Sequence, residues 1–294
     1  MPRQARLDTP GTLHHVMMRG IERKWIFRGD EDRKDFVSRL RHLSQETGTR
    51  LLAWSLLNTH VHLLLFSGPC GLSLFMRRLL SGYSQAFNRR HKRNGHLFQN
   101  RYKSIICEEE TYLLELVRYI HLNPLRASVV ASMADLERYP WSGHGVLVGK
   151  EKNDWQERDY VLQQFHQNEA EAIRIYRSFM EEGKDQGKRP ELIGGGLVRS
   201  MGGWSQVLSL RSRGMIGEHD SRILGRGDFV AEILKEADQK VTRYLPIEKR
   251  ETLIKEVIEK ICQEEGIGEE ELRLGGQARR VSNVRAKVAC QLSR

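Results

Sequence analysis

His60-Val61-His62 stands inside a run of mostly apolar residues, Trp54 to Phe66. Side chains on a strand alternate faces, so the two imidazoles point the same way, about 7 Å apart. Such a pair can offer two nitrogens to one divalent ion, or it can pack among its neighbours with its nitrogens hydrogen-bonded. Further along, Tyr119 and Asn123 are spaced to share a helix face one turn apart, with Glu115 on the same face. Asn123 is an oxygen donor able to complete a mixed nitrogen–oxygen set with His60 and His62. With waters filling the rest, that set suits Mg²⁺ or Mn²⁺ acting on a phosphoryl oxygen, and imidazole ligation leans toward manganese. Tyr119 would then be a nucleophile, once a base or a nearby cation eases ionisation of a phenol whose ordinary pKa is about 10. Attack on a phosphodiester would give a phosphotyrosine that conserves the bond for religation. The competing reading of Tyr119 is a helix tyrosine half-buried against a sheet. Glu115 is a neighbour by spacing only, so the general base is unassigned. His14 and His15 lie on opposite faces of a strand and read as structural, although either could approach the metal from beside it.

A cationic strip accompanies these residues. Arg77, Arg78, Arg89, Arg90, His91, Lys92, Arg93, Arg101 and Lys103 are interleaved with Tyr83, Phe87, Phe98 and Tyr102. Cations along a backbone, alternating with rings on which bases stack, are what a single-strand binder needs. The alternative is a solvated helix end with its rings in the core, and Phe87 and Phe98 read as core.

The elements that must position this chemistry are legible from periodicity. A strand is expected over Leu13 to Arg19, and a helix from Asp30, as N-cap, to about Thr47, closed by Gly48. Strands over Arg50 to Leu57 and His60 to Phe66 join at Asn58-Thr59 as a hairpin. A helix runs from Leu72 to about Arg90, a short strand from Tyr102 to Cys107, and a third helix from about Glu109 to Asn123. Pro124 is expected to stop that helix by excluding its predecessor from helical geometry. The order strand, helix, strand, strand, helix, strand is that of an α+β, ferredoxin-like fold, an antiparallel sheet with helices on one face, with the third helix as an extra. Tyr139-Pro140-Trp141-Ser142 closes this unit near Gly149. The expected division is 1–150, then a helical extension and linker over 151–227 with glycine turns at Gly194-Gly195-Gly196 and Gly202-Gly203-Trp204, then a helical region over 228–294.

Composition bounds the function. The 294 residues suffice for two domains, and 39% apolar content supports buried cores. No stretch approaches the roughly 20 apolar residues a membrane span needs, and residues 1–8 have no apolar signal core, so a cytoplasmic protein is expected. The four cysteines (Cys70, Cys107, Cys262, Cys290) are far apart without a CxxC pair. Thiol zinc sites and a disulfide framework are therefore not expected, and a reducing compartment fits. A net charge of +10 favours a polyanionic partner through counterion release.

With these residues in view, the chain over about 8–145 resembles the HUH single-tyrosine transposases, closest to the REP-associated, insertion-sequence-200-like type of bacteria. The likeness rests on His60-Val61-His62, on Gly95-His96-Leu97-Phe98-Gln99-Asn100-Arg101-Tyr102-Lys103-Ser104, on Arg118-Tyr119-Ile120-His121-Leu122-Asn123-Pro124 and on Tyr139-Pro140-Trp141-Ser142. It implies an HUH endonuclease fold, a divalent ion on His60 and His62 with Asn123 in the third-ligand position, and a 5′-phosphotyrosine at Tyr119 with release of a 3′-OH. It also implies single-stranded, hairpin DNA as substrate, a nucleoid-associated location and no membrane, with relatives that are monomers or dimers exchanging the tyrosine helix.

From about Asp228 the chain is similar to the DNA-binding domain of the replication initiator DnaA, on Gly276-Gln277-Ala278-Arg279-Arg280-Val281-Ser282 and Val284-Arg285-Ala286-Lys287-Val288-Ala289. That likeness implies a helix-turn-helix beyond Arg294, so a shortened region is expected; the alternative reading of the segment is a helical packing module with a basic end. Two rival functions predict different behaviour. A non-catalytic nucleic-acid-binding protein on a ferredoxin-like sheet would bind without cleaving, and a metal-dependent hydrolytic nuclease would cleave without a protein-linked intermediate.

Overall fold

The computed structural model describes residues 7–187, 189, 192, 220, 222–242, 247–273 and 279–292. The glycine turns at 194–196 and 202–203, Trp204 and the 276–278 stretch lie outside the described residues. The first half runs β1 (Leu13–Arg19), α1 (Asp30–Thr47), β2 (Arg50–Leu57), β3 (His60–Phe66), α2 (Gly71–Arg90), β4 (Lys103–Cys107) and α3 (Glu109–His121). The strands lie in the order β2-β3-β1-β4 and are antiparallel, the ferredoxin-like arrangement. A two-residue strand, β5 (Ile223–Leu224), extends β4 in parallel and makes the sheet mixed.

Strand alternation sorts the side chains into two cores. Val16, Met18, Val61, Leu63 and Leu65 face α1 and α2, meeting Phe36, Leu40, Phe75, Met76, Leu79 and Tyr83. Leu13, Leu64, Phe66, Ile105 and Cys107 face the other way, meeting Leu113, Leu116, Val117 and Ile120 of α3. The expected pair of helices thus covers one face and the extra helix covers the second. Both sheet faces are buried, which explains the near-continuous apolar run through β2 and β3.

Two local expectations are corrected. Asp30 is the first helical residue of α1 rather than its cap; Gly29 precedes it with no capping side chain, and the Asp32 carboxylate accepts from the Arg28 N–H at 2.8 Å. The third helix ends at His121, and Asn123 opens a further turn, α4 (Asn123–Arg126), instead of lying outside helical geometry. Pro124 falls in the first turn of α4, where a missing N–H costs nothing, and Leu122 bridges the two helices with φ −79° and ψ −7°. Leu122 thus stays in right-handed helical geometry and the chain passes from α3 directly into α4.

Beyond α4 come α5 (Met133–Glu137), α6 (His144–Leu147), α7 (Arg158–Gln163) and α8 (Glu169–Glu182). Residues 139–143 run along the outer side of β2: Leu56 N–H donates to Trp141 O at 2.9 Å and Tyr139 OH to Leu56 O at 2.9 Å. Behind α3, Tyr176 OH lies 2.8 Å from Nδ1 of both His121 and His144. This polar knot ties α8 and α6 to the C-terminal end of the tyrosine helix.

The C-terminal part is helical as expected: α9 (Gly227–Thr242), α10 (Ile247–Glu265), α11 (Glu269–Arg273) and α12 (Arg279–Leu292), with Ile261, Ile267 and Val284 in a small core. Against the expectation of no disulfide, Cys70 at the start of α2 is bonded to Cys290 of α12. A separation of 220 residues left no local spacing from which to read the pair. Cys107 and Cys262 are free and buried. Among the described residues, no helix is long and apolar enough to cross a membrane.

Candidate active site

The face of the sheet under α3 carries a group of polar residues within an otherwise apolar layer. Antiparallel pairing sets Met17 opposite His62 and Arg19 opposite His60, so His15 is a diagonal neighbour of His62 on the same face. Tyr119 reaches down from α3 onto this patch. Its ring centroid lies 5.8 Å from that of His62 and 5.9 Å from that of His15, both edge-on, and the His60 and His62 rings are 5.3 Å apart. Tyr119 is 9% exposed, so the ring is packed while an edge is open to solvent.

The hydrogen bonds fix which nitrogens are available. His15 Nδ1 lies 3.0 Å from Leu192 O, and a carbonyl can only accept, so the proton of neutral His15 sits on Nδ1. His15 Nε2 is then an acceptor, and His62 Nδ1–H donates to it across 3.0 Å. That leaves His62 Nε2 as a bare lone pair with no hydrogen-bond partner among the described residues. His60 Nδ1 meets Thr59 Oγ1 at 3.0 Å, which also turns its Nε2 outward from that bond. Burial lowers His15 to about 4, opposed by the Leu192 bond and aided by Lys103; burial and then Arg19 lower His60 to about 4. Burial, followed by His15, His60 and Arg19, holds His62 well below the ordinary range. Neutral imidazoles are what metal ligation requires.

Two imidazoles and an amide have the chemistry of a mixed nitrogen–oxygen donor set, of which the strand brings His60 and His62 together. Ser55 Oγ, opposite His62 in register, is buried without a hydrogen-bond partner among the described residues. Asn123 is buried and donates Nδ2–H to Tyr119 O at 2.9 Å, which ties it to the tyrosine's own turn and leaves Oδ1 as an acceptor. Among the described residues no three His, Cys, Asp or Glu converge as a cage. Glu115 is occupied elsewhere, held by Arg118 at 2.6 Å and Arg189 at 3.1 Å.

Arg126 was missed from sequence. Its guanidinium carbon lies 5.4 Å from the Tyr119 ring centroid, and it donates to Tyr119 O and Gly183 O at 3.3 and 3.1 Å. Its Nε is buried without a partner among the described residues, and burial lowers its pKa. The signal was the spacing of seven from Tyr119, two turns on, masked by the expectation that Pro124 breaks the path. His15 was likewise read as structural, because its diagonal relation to His62 needs the β1–β3 register.

The cationic strip is divided by the fold. Arg78 is clasped by Glu46 at 2.5 and 2.8 Å, and Arg90 by Asp32 at 2.6 Å, so both tie α2 to α1. Arg77, Arg89, Lys92 and Arg101 have no carboxylate partner among the described residues, and Arg93 donates to Asn88 Oδ1 and His96 O, which carry no charge. Lys103 lies on β4, close enough to lower the pKa of His15. The rings, however, are not a stacking ladder. Tyr83 and Phe87 are fully buried and Phe98 and Tyr102 nearly so, all in the core under α2.

Residues 10–123 match the profile of the family described as "Transposase IS200 like", a span that ends on Asn123 and contains His60, His62 and Tyr119. Among solved structures, the chain is similar to one described as the REP-associated tyrosine transposase bound to a REP hairpin, at 15% identity and TM-score 0.43, covering 54% of this chain and 98% of that one. It is also similar to a Deinococcus radiodurans R1 protein described as a transposase, at 17% identity and TM-score 0.29, covering 40% of this chain and 95% of that one. No curated protein matches.

Proposed function

We propose that the protein is a transposase-type enzyme that nicks and rejoins single-stranded DNA through Tyr119. One observation carries the reading: Tyr119, on α3, lies edge-on to His62, which belongs to a histidine pair on one strand face and keeps a bare Nε2 among the described residues. The family match over residues 10–123 supports the class of chemistry.

In the proposed step Tyr119 Oη, its proton lost to a base, bonds to the phosphorus of a phosphodiester while the P–O3′ bond breaks. The electron pair leaves on O3′, which takes up a proton, giving a 5′-phosphotyrosine and a free 3′-OH. The reverse attack by a 3′-OH joins strands and restores the tyrosine. Mg²⁺ or Mn²⁺ held by His60, His62 and Asn123 would supply Lewis-acid polarisation of a phosphoryl oxygen. His15 fixes the tautomer of His62, the outer-shell role a metal-ligating histidine needs. Arg126 favours the ionised phenol and the charge of the bound phosphate, as a cation in a half-buried site.

The proposed substrate is hairpin DNA with a single-stranded flank, contacted by the uncompensated cations Arg77, Arg89, Lys92, Arg93 and Arg101 together with Lys103, while Arg78 and Arg90 serve the α1–α2 junction. Residues 1–150 would form the catalytic domain, 151–227 an extension buttressing α3, and 228–294 a DnaA-like helical arm for DNA. A homodimer and a nucleoid-associated, cytoplasmic location belong to the same proposal.

The test is a denaturing gel of the protein incubated with hairpin and single-stranded oligonucleotides and Mn²⁺. A protein–DNA adduct that EDTA abolishes is expected. Cleavage without adduct would favour a hydrolytic nuclease, and EDTA-insensitive binding without cleavage would favour a non-catalytic DNA-binding protein.

A further inference from the structure

Trp25 is 58% exposed, one of two large hydrophobic residues left so by the described fold. It lies in the connection between β1 and α1 and, with Ile21, Lys24, Arg28, Arg93 and Leu97, lines a cavity of about 350 Å³. That volume is in the range of small-ligand sites. We propose that this cavity holds one unstacked nucleobase of the bound DNA strand, stacked on Trp25, with its flanking phosphates on Arg28 and Arg93.

The site is built rather than incidental. Gly20 opens the connection, and a Cβ there would meet Lys24 O at 2.1 Å and Ile26 Cγ2 at 2.9 Å, so only glycine lets the chain fold back this tightly. Glu22 and Arg23 adopt left-handed backbone with φ 52° and 59°, a conformation costly for residues with side chains. Lys92, on the opposite wall's segment, does the same at φ 49°. The two segments are stitched together by Ile21 N–H to Leu97 O at 3.0 Å and Gln99 N–H to Arg19 O at 2.9 Å.

The same stitching puts the cavity at the catalytic end of the sheet. Ile26 N–H donates to Asn58 O, and Gly20 N–H to Thr59 O, both in the hairpin turn that immediately precedes His60. Arg19, the last residue before the connection, is the register partner of His60. The cavity is thus joined through the backbone to the turn that leads into His60.

The chemistry selects the occupant. An open indole face suits any base, because every base has a π-face, and cations beside it suit the phosphates on either side. The charge of Arg93 faces only neutral acceptors, and Arg28 has no carboxylate partner among the described residues; only Lys24 is paired, with Glu22. This pocket also restores the aromatic contact that the buried Tyr83, Phe87, Phe98 and Tyr102 do not provide.

The choice of DNA as occupant rests on the proposed strand-cleaving function, and the experiment separates the two. Affinity of the full chain for fluorescein-labelled oligo-dT, in EDTA, is measured by anisotropy for wild type, Trp25→Ala, Trp25→Phe and Arg93→Ala. The expected result is a loss of about 10-fold or more for Trp25→Ala, recovery of most of it by Trp25→Phe, and a shallower salt dependence for Arg93→Ala. Because Trp25 is exposed, the variants should keep wild-type circular dichroism. Trp25→Ala binding within twofold of wild type would overturn the pocket, even if wild type forms the Tyr119 adduct. Loss of affinity in Trp25→Ala with no adduct from wild type would uphold the pocket and remove the proposed cleavage.

Discussion

His15 Nε2 lies 3.0 Å from His62 Nδ1, and on its far side His15 Nδ1 is held by Leu192 O at 3.0 Å. The relay runs one way, because the carbonyl has no proton to give. It leaves the lone pair of His62 on the nitrogen that can face a metal ion.

Breaking the relay should weaken the proposed metal site without deleting a proposed ligand. His15→Ala is expected to lower Mn²⁺ affinity by about 10- to 100-fold, read by calorimetry. His15→Gln, which can accept from His62 and donate to Leu192, should recover much of the loss. Equal affinity in wild type and His15→Ala would show that His15 does not orient the ligand.

Arg126 should act on the rate of adduct formation more than on binding. With its guanidinium 5.4 Å from the Tyr119 ring, Arg126→Gln removes a charged donor worth about 1.5–3 kcal/mol, or roughly 10- to 100-fold in single-turnover rate. Arg126→Lys should lie between. A variant that forms adduct as fast as wild type at saturating DNA would assign the arginine to packing alone.

The cations of α2 should separate by their partners. Arg89→Ala is expected to reduce the salt slope of DNA binding by about one, whereas Arg78→Ala, whose charge is already held by Glu46 at 2.5 Å, should leave it unchanged. The stability change for Arg78→Ala should stay within about 1 kcal/mol, as for other partly exposed pairs. Identical slopes for the two variants would mean that the ion pair opens on binding.

Acid should destabilise the fold through histidines outside the proposed metal site. Burial holds His14 and His144 at about 4, against 6.5 for the free side chain. Between these values the unfolded chain binds more protons, so the stability is complete above about pH 6.5 and is lost as pH falls through about 4. Each group should cost about 1–2 kcal/mol between about pH 7.5 and about pH 5, measured by urea unfolding. His144→Gln should flatten the pH dependence.

Periodicity made the skeleton readable. β1, β2, β3 and α2 fall within a residue of their expected bounds, because α2 carries a three-to-four-residue apolar repeat and the strands are short apolar runs, β2 and β3 bounded by Gly48, the Asn58-Thr59 turn and Gly68-Pro69. The pairing of His60 with His62 followed from strand alternation, and their meeting with Tyr119 from the resemblance to a single-tyrosine enzyme. Features that depend on register or on distant chain were not readable. His15 needed the diagonal β1–β3 contact, β5 joins β4 from beyond residue 220, and Cys70 meets Cys290 across nearly the whole chain. The aromatic strip misled because Tyr83 and Phe87 carry the α2 core repeat, while the exposed ring, Trp25, sits alone in a connection without periodicity.

The most direct measurement is peptide mapping by mass spectrometry of the adduct formed with a cleavable hairpin oligonucleotide and Mn²⁺. The proposed mechanism predicts a DNA fragment joined through its 5′-phosphate to Tyr119, together with a free fragment ending in 3′-OH, and no adduct from Tyr119→Phe. A 5′-phosphate on any other residue, or an adduct that persists in Tyr119→Phe, would contradict it.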